Sequence, residues 1–168
     1  MEEVILVNES DEVLGTMEKM EAHRKGVLHR AFSVFLFNDN GELLIHQRAK
    51  SKYHSPGLWT NTCCSHQRID ESNIQAGKRR LMEELGIKAD LKDSFHIIYR
   101  AELDQGLTEH ELDHVLLGTF NGEAIPNPEE VESWKYVDLE SLQSDIQVNP
   151  SQYTEWFKLL LPQVIEKL

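Results

Sequence analysis

Two pairs of residues have the types and the spacing of a metal or acid/base site. Glu109 and Glu111 stand two apart in TEHEL, and Cys64 and His66 have the same spacing in WTNTCCSH. Because alternate residues of an extended chain point to the same side, each pair presents both side chains on one face. Two neighbouring carboxylates repel each other unless a cation lies between them, and a histidine aimed at the same place would complete a metal site.

Spacing alone leaves other interpretations open. Glu109 and Glu111 are equally consistent with a solvated strand edge. His23 and His29 lie close together in EAHRKGVLHRAF, but spacing by itself makes neither of them a metal ligand. The remaining histidines apart from His66 are predicted to be surface or packing residues: His46, His54, His96, His110 and His114.

The two cysteines of the chain, Cys63 and Cys64, are predicted to be free thiols. Consecutive residues point their side chains apart, and a disulfide has narrow geometric limits. Free thiols suit a reducing cytosol, so a cytoplasmic protein is expected. The acidic start of the chain, MEEVILVNES, and the lack of any run of about 18 apolar residues predict neither a signal peptide nor a membrane span.

Length and charge restrict the kind of partner. The chain has 168 residues, of which 40% are hydrophobic, and this predicts a single domain over residues 1–168 with its own core. Its formal net charge of −12 repels nucleic-acid phosphates and anionic membrane surfaces. A small molecule is the expected partner, and an anionic one must meet a local basic cluster. We expect a monomer or a weak dimer.

Predicted strands surround and contain the candidate residues. AFSVFLF (31–37) and ELLIHQR (42–48) are apolar runs separated by NDNG, a hairpin signal, so they are predicted to pair antiparallel. FHIIYRAEL (95–103) and LDHVLLGTF (112–120) predict a second pair, and VESWKYVDL (131–139) predicts a further strand. With helices between and after them, these strands predict a mixed α/β layered domain.

The strongest helix signal covers residues 71–86, ESNIQAGKRRLMEELG. Its apolar residues recur at helical spacing, Ser72 and Gln75 form a capping-box pattern, and Gly86 is placed to end the helix. The tail, TEWFKLLLPQVIEKL, predicts a terminal helix that Pro162 kinks or divides.

The predicted helix also carries paired charges. Arg79 with Glu83, and Arg80 with Glu84, lie four apart, and as surface ion pairs each would be worth only a few tenths of a kcal/mol. The order of Glu71, seven residues and RRLMEELGI nevertheless resembles the second part of the Nudix box. That resemblance implies a Nudix-like α/β/α sandwich with a mixed β-sheet, in which helix glutamates hold Mg²⁺ on a diphosphate.

Two departures distinguish the chain from the Nudix diphosphate hydrolases. Ser65 replaces the leading Gly of the box, and Arg80 replaces the Glu after the Arg, so a metal-binding carboxylate has become a cation. With WTNTCCSH, these departures resemble the type I, Nudix-fold isopentenyl-diphosphate isomerases. The similarity extends through EKMEAHRKGVLHRAF, QRAKSKYHSPGLWTNTCCSH, RRLMEELGI and GLTEHELDHV. A Nudix hydrolase of another small diphosphate is the alternative, followed by a noncatalytic, metal-stabilised binding module.

The resemblance implies a role for each matching residue. Cys64 matches the catalytic thiol, and Tyr99 matches a tyrosine that supports the acid/base glutamate, Glu111. One divalent metal, Mg²⁺, Mn²⁺ or Zn²⁺, is implied at His23, His29, His66, Glu109 and Glu111. The implied diphosphate contacts are Lys19, Arg48, Lys52, Ser65 and Arg80. Glu84 matches a ligand of a second Mg²⁺ that bridges to the diphosphate, Trp156 matches an aromatic over the hydrocarbon, and Gln67 stands where a Pro commonly follows Cys-Ser-His.

The implied reaction agrees with these residue types. Converting isopentenyl diphosphate to dimethylallyl diphosphate adds a proton at one carbon and removes one from another, through a tertiary carbocation-like state. Two acid/base groups must therefore face the alkene from opposite sides, and Cys64 and Glu111 are the candidates. The face of an aromatic ring such as Trp156 can stabilise the developing cation.

Overall fold

In a computed structural model, which describes residues 2–168, the strands form a mixed sheet with helices on both faces. The strands are β1 (Glu3–Val7), β2 (Val13–Glu18), β3 (His29–Phe37), β4 (Leu43–Arg48), β5 (Trp59–Thr60), β6 (Cys63–Ser65), β7 (Leu91–Glu102), β8 (Thr108–Thr119) and β9 (Val131–Val137). The helices are α1 (Lys19–Lys25), α2 (Asn73–Leu85), α3 (Leu139–Val148) and α4 (Glu155–Glu166). The first residue of the predicted domain, 1–168, lies outside the described residues.

The strand β3 organises the sheet because it has partners along both edges. One edge pairs in parallel with β8 from His29 to Phe37. The other edge pairs antiparallel with β1, then β6, then β4. The β7–β8 pair is antiparallel, as is β4–β9. The sheet therefore combines the parallel β3–β8 pair with antiparallel pairs. This confirms the prediction of a mixed β-sheet.

Alternate side chains of β3 point into two separate cores. Phe32, Val34 and Leu36 are fully buried in a cluster that includes residues of α2. On the opposite face, Phe35 packs in a second cluster with Phe157 of α4, with the ring centroids 6.1 Å apart. Helices therefore cover both faces of the sheet, and the predicted α/β/α sandwich is confirmed.

The capping signals of α2 work as the sequence predicts. The hydroxyl of Ser72 accepts a hydrogen bond from the backbone N–H of Gln75 at 3.1 Å, while the Gln75 side chain accepts one from the backbone N–H of Ser72 at 2.9 Å. At the other end Gly86 adopts φ of 63°, a left-handed conformation that favours glycine. These two ends fix where the charged face of α2 points.

Several elements differ from the predictions, and β7, for example, begins at Leu91 rather than at residue 95. Pro162 lies inside α4 and does not divide it, so the predicted alternative of a divided helix is wrong. Burial of Leu161 and Val164 beside it offsets the one helix hydrogen bond that a proline removes. The strand β8 begins at Thr108 rather than at residue 112, which places both glutamates of TEHEL within a regular strand.

No helix within residues 2–168 is long and apolar enough to cross a membrane.

His46 makes the stability of the fold sensitive to acid. Complete burial lowers its pKa from the usual 6.5 to about 4, and its Nδ1–H donates to the carbonyl of Thr62 at 2.9 Å. Below pH 6.5 the unfolded chain takes up a proton that the folded chain does not, so stability falls as the pH falls. Between pH 7 and 5, His46 should account for a loss of about 2 kcal/mol in the free energy of unfolding.

Urea unfolding of wild type and His46→Gln at both pH values measures this contribution. Glutamine keeps an amide donor for Thr62 but does not titrate, so the variant should lose less stability on acidification. Equal losses in the two proteins would contradict the assignment of this pH dependence to His46.

Candidate active site and metal centre

Three adjacent strands place Tyr99, Glu111 and His29 in one row across the sheet. Glu111 of β8 is the register partner of Tyr99 on β7 and of His29 on β3. Glu109 lies two residues earlier on β8 and therefore points to the same face. Both glutamates are almost completely buried, at 4% and 5% exposure. This excludes the solvated strand edge that their spacing left open.

Histidines from separate segments converge on the two carboxylates. Glu111 Oε2 lies 3.0 Å from His66 Nε2 and 3.3 Å from His29 Nε2. His23 Nε2 contacts Glu109 Oε1. The ligand atoms of His23, His29, His66 and Glu111 all lie within 4.8 Å of one another. The structure therefore brings together all five residues that the sequence assigned to the His/Glu site.

The hydrogen-bond partners of His23 and His29 explain why a cation fits between the histidines and the glutamates. His23 Nδ1 lies 2.7 Å from the carbonyl of Lys19, and His29 Nδ1 lies 2.9 Å from that of Val27. Since a carbonyl only accepts, each Nδ1 carries a proton, and Nε2 of the neutral ring turns a lone pair towards a carboxylate. Both Nε2 atoms and Glu109 Oε1 are buried without a hydrogen-bond partner among residues 2–168. Facing lone pairs of this kind match a divalent metal, whose histidine ligands commonly bond a backbone carbonyl through the other ring nitrogen.

Burial and neighbouring charges set the protonation of the site. Burial disfavours ionisation of Glu109, but its contacts with Glu111 and His23 outweigh the effect of burial and hold its pKa well below the usual range. Burial raises the pKa of the Cys64 thiol to about 12, so the thiol keeps its proton at neutral pH. Burial and the charge of Glu111 raise the pKa of Tyr99 well above its usual range. Tyr99 therefore remains a donor, and its hydroxyl bonds Glu111 Oε1 at 2.5 Å.

The two cysteines have different surroundings. Cys64 pairs with Ser33 across β3, is only partly buried, and lines a pocket that also contains Glu109 and Glu111. Cys63 is fully buried in the α2 core, with its Sγ 3.4 Å from a carboxylate oxygen of Glu84. Of the two, only Cys64 can reach a molecule in the pocket.

The pocket lining contains a basic cluster, although acidic residues offset it. The predicted diphosphate and hydrocarbon contacts all line the pocket: Lys19, Arg48, Lys52, Ser65, Arg80 and Trp156. Glu130, which the sequence did not single out, lies 2.5 Å from Lys52 Nζ and 3.4 Å from Arg80. Glu2 lies 2.8 Å from Lys19 Nζ. These ion pairs hold the cations around the pocket in an otherwise acidic protein.

Glu84 occupies a position behind the pocket. Among the described residues, it belongs neither to the pocket wall nor to the His/Glu cluster. Its carboxylate lies 3.0 Å from Arg80, and Arg79 lies 3.2 Å from Glu83, so both predicted helix ion pairs form. Burial raises the pKa of Glu84. Its role as a ligand of a second Mg²⁺ stays a prediction.

Gln67 ties the Cys-Ser-His loop to the sheet and to α2. Its side-chain amide donates to the carbonyl of Ala31 at 3.0 Å and to the Asn73 side chain at 2.8 Å. The next helix also helps, because Arg79 donates to the carbonyl of His66 at 3.2 Å. Hydrogen bonds from Gln67 and Arg79 thus hold this loop in place.

His54, predicted to be a surface or packing residue, is buried beside the candidate site. It is 3% exposed, lines the pocket, and has Nε2 3.4 Å from Glu109 Oε1. Its ring meets that of Trp156 edge-on, with centroids 5.6 Å apart. Tyr53, also missed, lies beside it and against His23. Both residues lie in an irregular loop, where no periodicity signals which side chains point inward.

Comparison with known proteins identifies the family. The model of the NUDIX domain matches residues 27–157. The chain is 48% identical to Isopentenyl-diphosphate Delta-isomerase 1 of Aromatoleum aromaticum, over 98% of this chain and 93% of the relative. It is 49% identical to Isopentenyl-diphosphate Delta-isomerase of Photobacterium profundum, over 99% of this chain and 96% of the relative.

A solved structure of a protein from Deinococcus radiodurans has the same fold. It superimposes with a TM-score of 0.79 at 22% identity, and the alignment covers 96% of this chain and 98% of that one. Sequence and fold thus agree. The chain belongs to the Nudix family and, within it, to the isopentenyl-diphosphate Delta-isomerases.

Proposed function

We propose that this chain interconverts isopentenyl diphosphate and dimethylallyl diphosphate in the pocket described above, with Cys64 and Glu111 as the two acid/base groups. One observation carries the proposal. The two residues enter the same pocket from strands on opposite edges of β3, because Ser33 pairs with Cys64 of β6 along one edge and with Val115 of β8 along the other. An alkene between them meets a proton-transfer group on each side.

The proton inventory suits such a transfer. In each direction, one group gives a proton to one carbon of the double bond. The other group removes a proton from the carbon attached to the second carbon of the double bond. The raised pKa of Cys64 keeps a proton available on the thiol. Tyr99 occupies Glu111 Oε1, which orients the carboxyl group. A divalent metal held by His23, His29, His66, Glu109 and Glu111 would supply positive charge that sets the proton affinity of that carboxyl group.

The remaining wall of the pocket suits a hydrocarbon cation attached to a diphosphate. The Trp156 ring is 3% exposed, and an aromatic face stabilises positive charge. Arg48 lies over that ring, with its Cζ 5.2 Å from the centroid, so the basic and aromatic parts of the wall are contiguous. We propose that Lys19, Arg48, Lys52, Ser65 and Arg80 hold the diphosphate, together with Mg²⁺ that Glu84 helps to bind.

Incubation with isopentenyl diphosphate and Mg²⁺, followed by proton and phosphorus NMR, tests the function. Dimethylallyl diphosphate is the expected product. Release of phosphate without isomerisation would instead identify a Nudix hydrolase. Unchanged substrate from protein with a full complement of metal would leave only the noncatalytic binding module.

Arg80 is expected to contribute to substrate binding as well as to the charge balance of α2. Arg80→Ala should raise KM for isopentenyl diphosphate about 10- to 150-fold, because a charge-assisted contact is worth about 1.5–3 kcal/mol. Steady-state kinetics at fixed Mg²⁺ measures the change. Lys78→Ala is the matched control, since Lys78 lies on the same helix and pairs with the exposed Asp90, at 3.5 Å. A normal KM with a lowered Tm would reduce Arg80 to an ion-pair partner.

A further inference from the structure

His54 stands in a second group of ligand atoms beside the first. The ligand atoms of His23, His54 and Glu109 lie within 4.8 Å of one another, and all three residues are buried. His54 Nε2 lies 3.4 Å from Glu109 Oε1, the same oxygen that contacts His23. His54 Nδ1 lies 3.2 Å from the Ser55 hydroxyl, which can accept its proton. His54 therefore has the arrangement of His23 and His29, with one ring nitrogen bonded and the other facing a carboxylate.

The two groups of ligand atoms share one residue, His23. Its Nδ1 is bonded to the carbonyl of Lys19, which leaves a single lone pair, on Nε2. One lone pair binds one cation. An ion at that lone pair would therefore lie beside both groups, with His54 and Glu109 in one and His29, His66 and Glu111 in the other.

The backbone around His54 is held in a constrained conformation. Ser55 has φ of 48°, in the left-handed region that side chains other than glycine rarely adopt. Asp104 accepts the backbone N–H of Ser55 at 2.9 Å, and Arg48 donates to the carbonyl of His54 at 3.1 Å. A residue that merely covered the pocket would not require its backbone to be fixed from both sides. These contacts aim the His54 ring at Glu109.

We propose that His54 is a fourth histidine ligand of the divalent metal at the His/Glu cluster. This inference rests on the proposed metal site and deepens it. Four imidazoles and two carboxylates favour Mn²⁺, Zn²⁺ or a similar transition metal over Mg²⁺, which takes oxygen ligands. The His/Glu cluster would then bind a transition metal, while Mg²⁺ would bind at the diphosphate.

Nitrogen-15 NMR of protein with all histidines labelled, recorded before and after one equivalent of Zn²⁺, tests the proposal directly. Four Nε2 resonances should shift to the position of metal-bound imidazole, and His54→Ala should lose one of them. Three shifted resonances in the wild type would overturn the role of His54 and leave the metal site intact. No shifted resonance would overturn the metal site and this inference together.

Zinc affinity, measured by competition with a chelator, supplies a second readout. His54→Ala should weaken Zn²⁺ binding at least about tenfold, since even the outer partners of metal ligands have effects of that size. His96→Ala is the control, because His96 is exposed on β7 and pairs with His114 away from the cluster. Equal affinity in wild type and His54→Ala would contradict ligation. If His54→Ala does not fold, the wild-type resonance count still decides.

Discussion

Replacing Cys64 by alanine is expected to lower kcat by at least about 10²–10⁴-fold, the contribution of a positioned proton-transfer group. The thiol lines the pocket and keeps its proton at neutral pH, so its loss removes one of the two groups that face the alkene. Cys64→Ser should also turn over poorly, because the hydroxyl holds its proton far more tightly than a thiol whose ordinary pKa is about 8.5. Turnover is measured by the NMR assay at saturating substrate.

Cys63→Ala is the matched control for this prediction. Its side chain is buried in the α2 core and contacts Glu84 instead of the pocket, so the variant should lose some stability and keep most of its activity. An inactive Cys63 variant with an active Cys64 variant would mean that the thiol roles are exchanged. Activity in both variants would end the thiol mechanism for this protein.

Glu111→Gln is expected to lower kcat by at least about 10²-fold and to weaken metal binding at the same time. The amide cannot take up or release the proton, although its oxygen can still accept from Tyr99, whose hydroxyl bonds Oε1 in the wild type. Oε2 faces both His29 and His66, so removing its charge should also disturb the metal site. Kinetics and metal analysis of the same preparation measure the two effects.

Glu109→Gln distinguishes the loss of metal binding from the loss of proton transfer. Glu109 contacts His23 and His54 but is not one of the proposed acid/base groups, so this variant should bind metal more weakly and recover activity when metal is added in excess. Glu111→Gln should not recover. Wild-type turnover by fully metal-loaded Glu111→Gln would show that another group carries the proton.

Sequence patterns predict the parts of this site that lie on regular elements. The spacing of Glu109 and Glu111 already implies a shared face, and β8 confirms it. The capping box and Gly86 fix α2, and with it the direction of Arg80. The Cys-Ser-His motif identifies Cys64 through resemblance, whereas spacing alone leaves its role open. The shared face of Glu109 and Glu111 and the capped ends of α2 are predicted correctly because periodicity and capping are local properties of the chain.

Long-range contacts supply what the sequence does not predict. His54 lies in an irregular loop, and only folding brings its ring to Glu109. Glu130 meets Lys52 and Arg80 across the pocket from a distant turn, and no local pattern indicates it. The Gln67 amide holds its loop by bonding a carbonyl of β3, a partner that only the tertiary structure provides.

The parallel pairing of β3 with β8 also determines when the ligands can meet during folding. Its first rung joins His29 to Glu111, and the hairpin, the capped helix and β7 all lie between them in the chain. Such a non-local pairing carries a large loop-closure cost and forms slowly compared with hairpins and helices. A cation held by these residues would therefore be captured only after the sheet is complete, and it would stabilise only molecules that have finished folding.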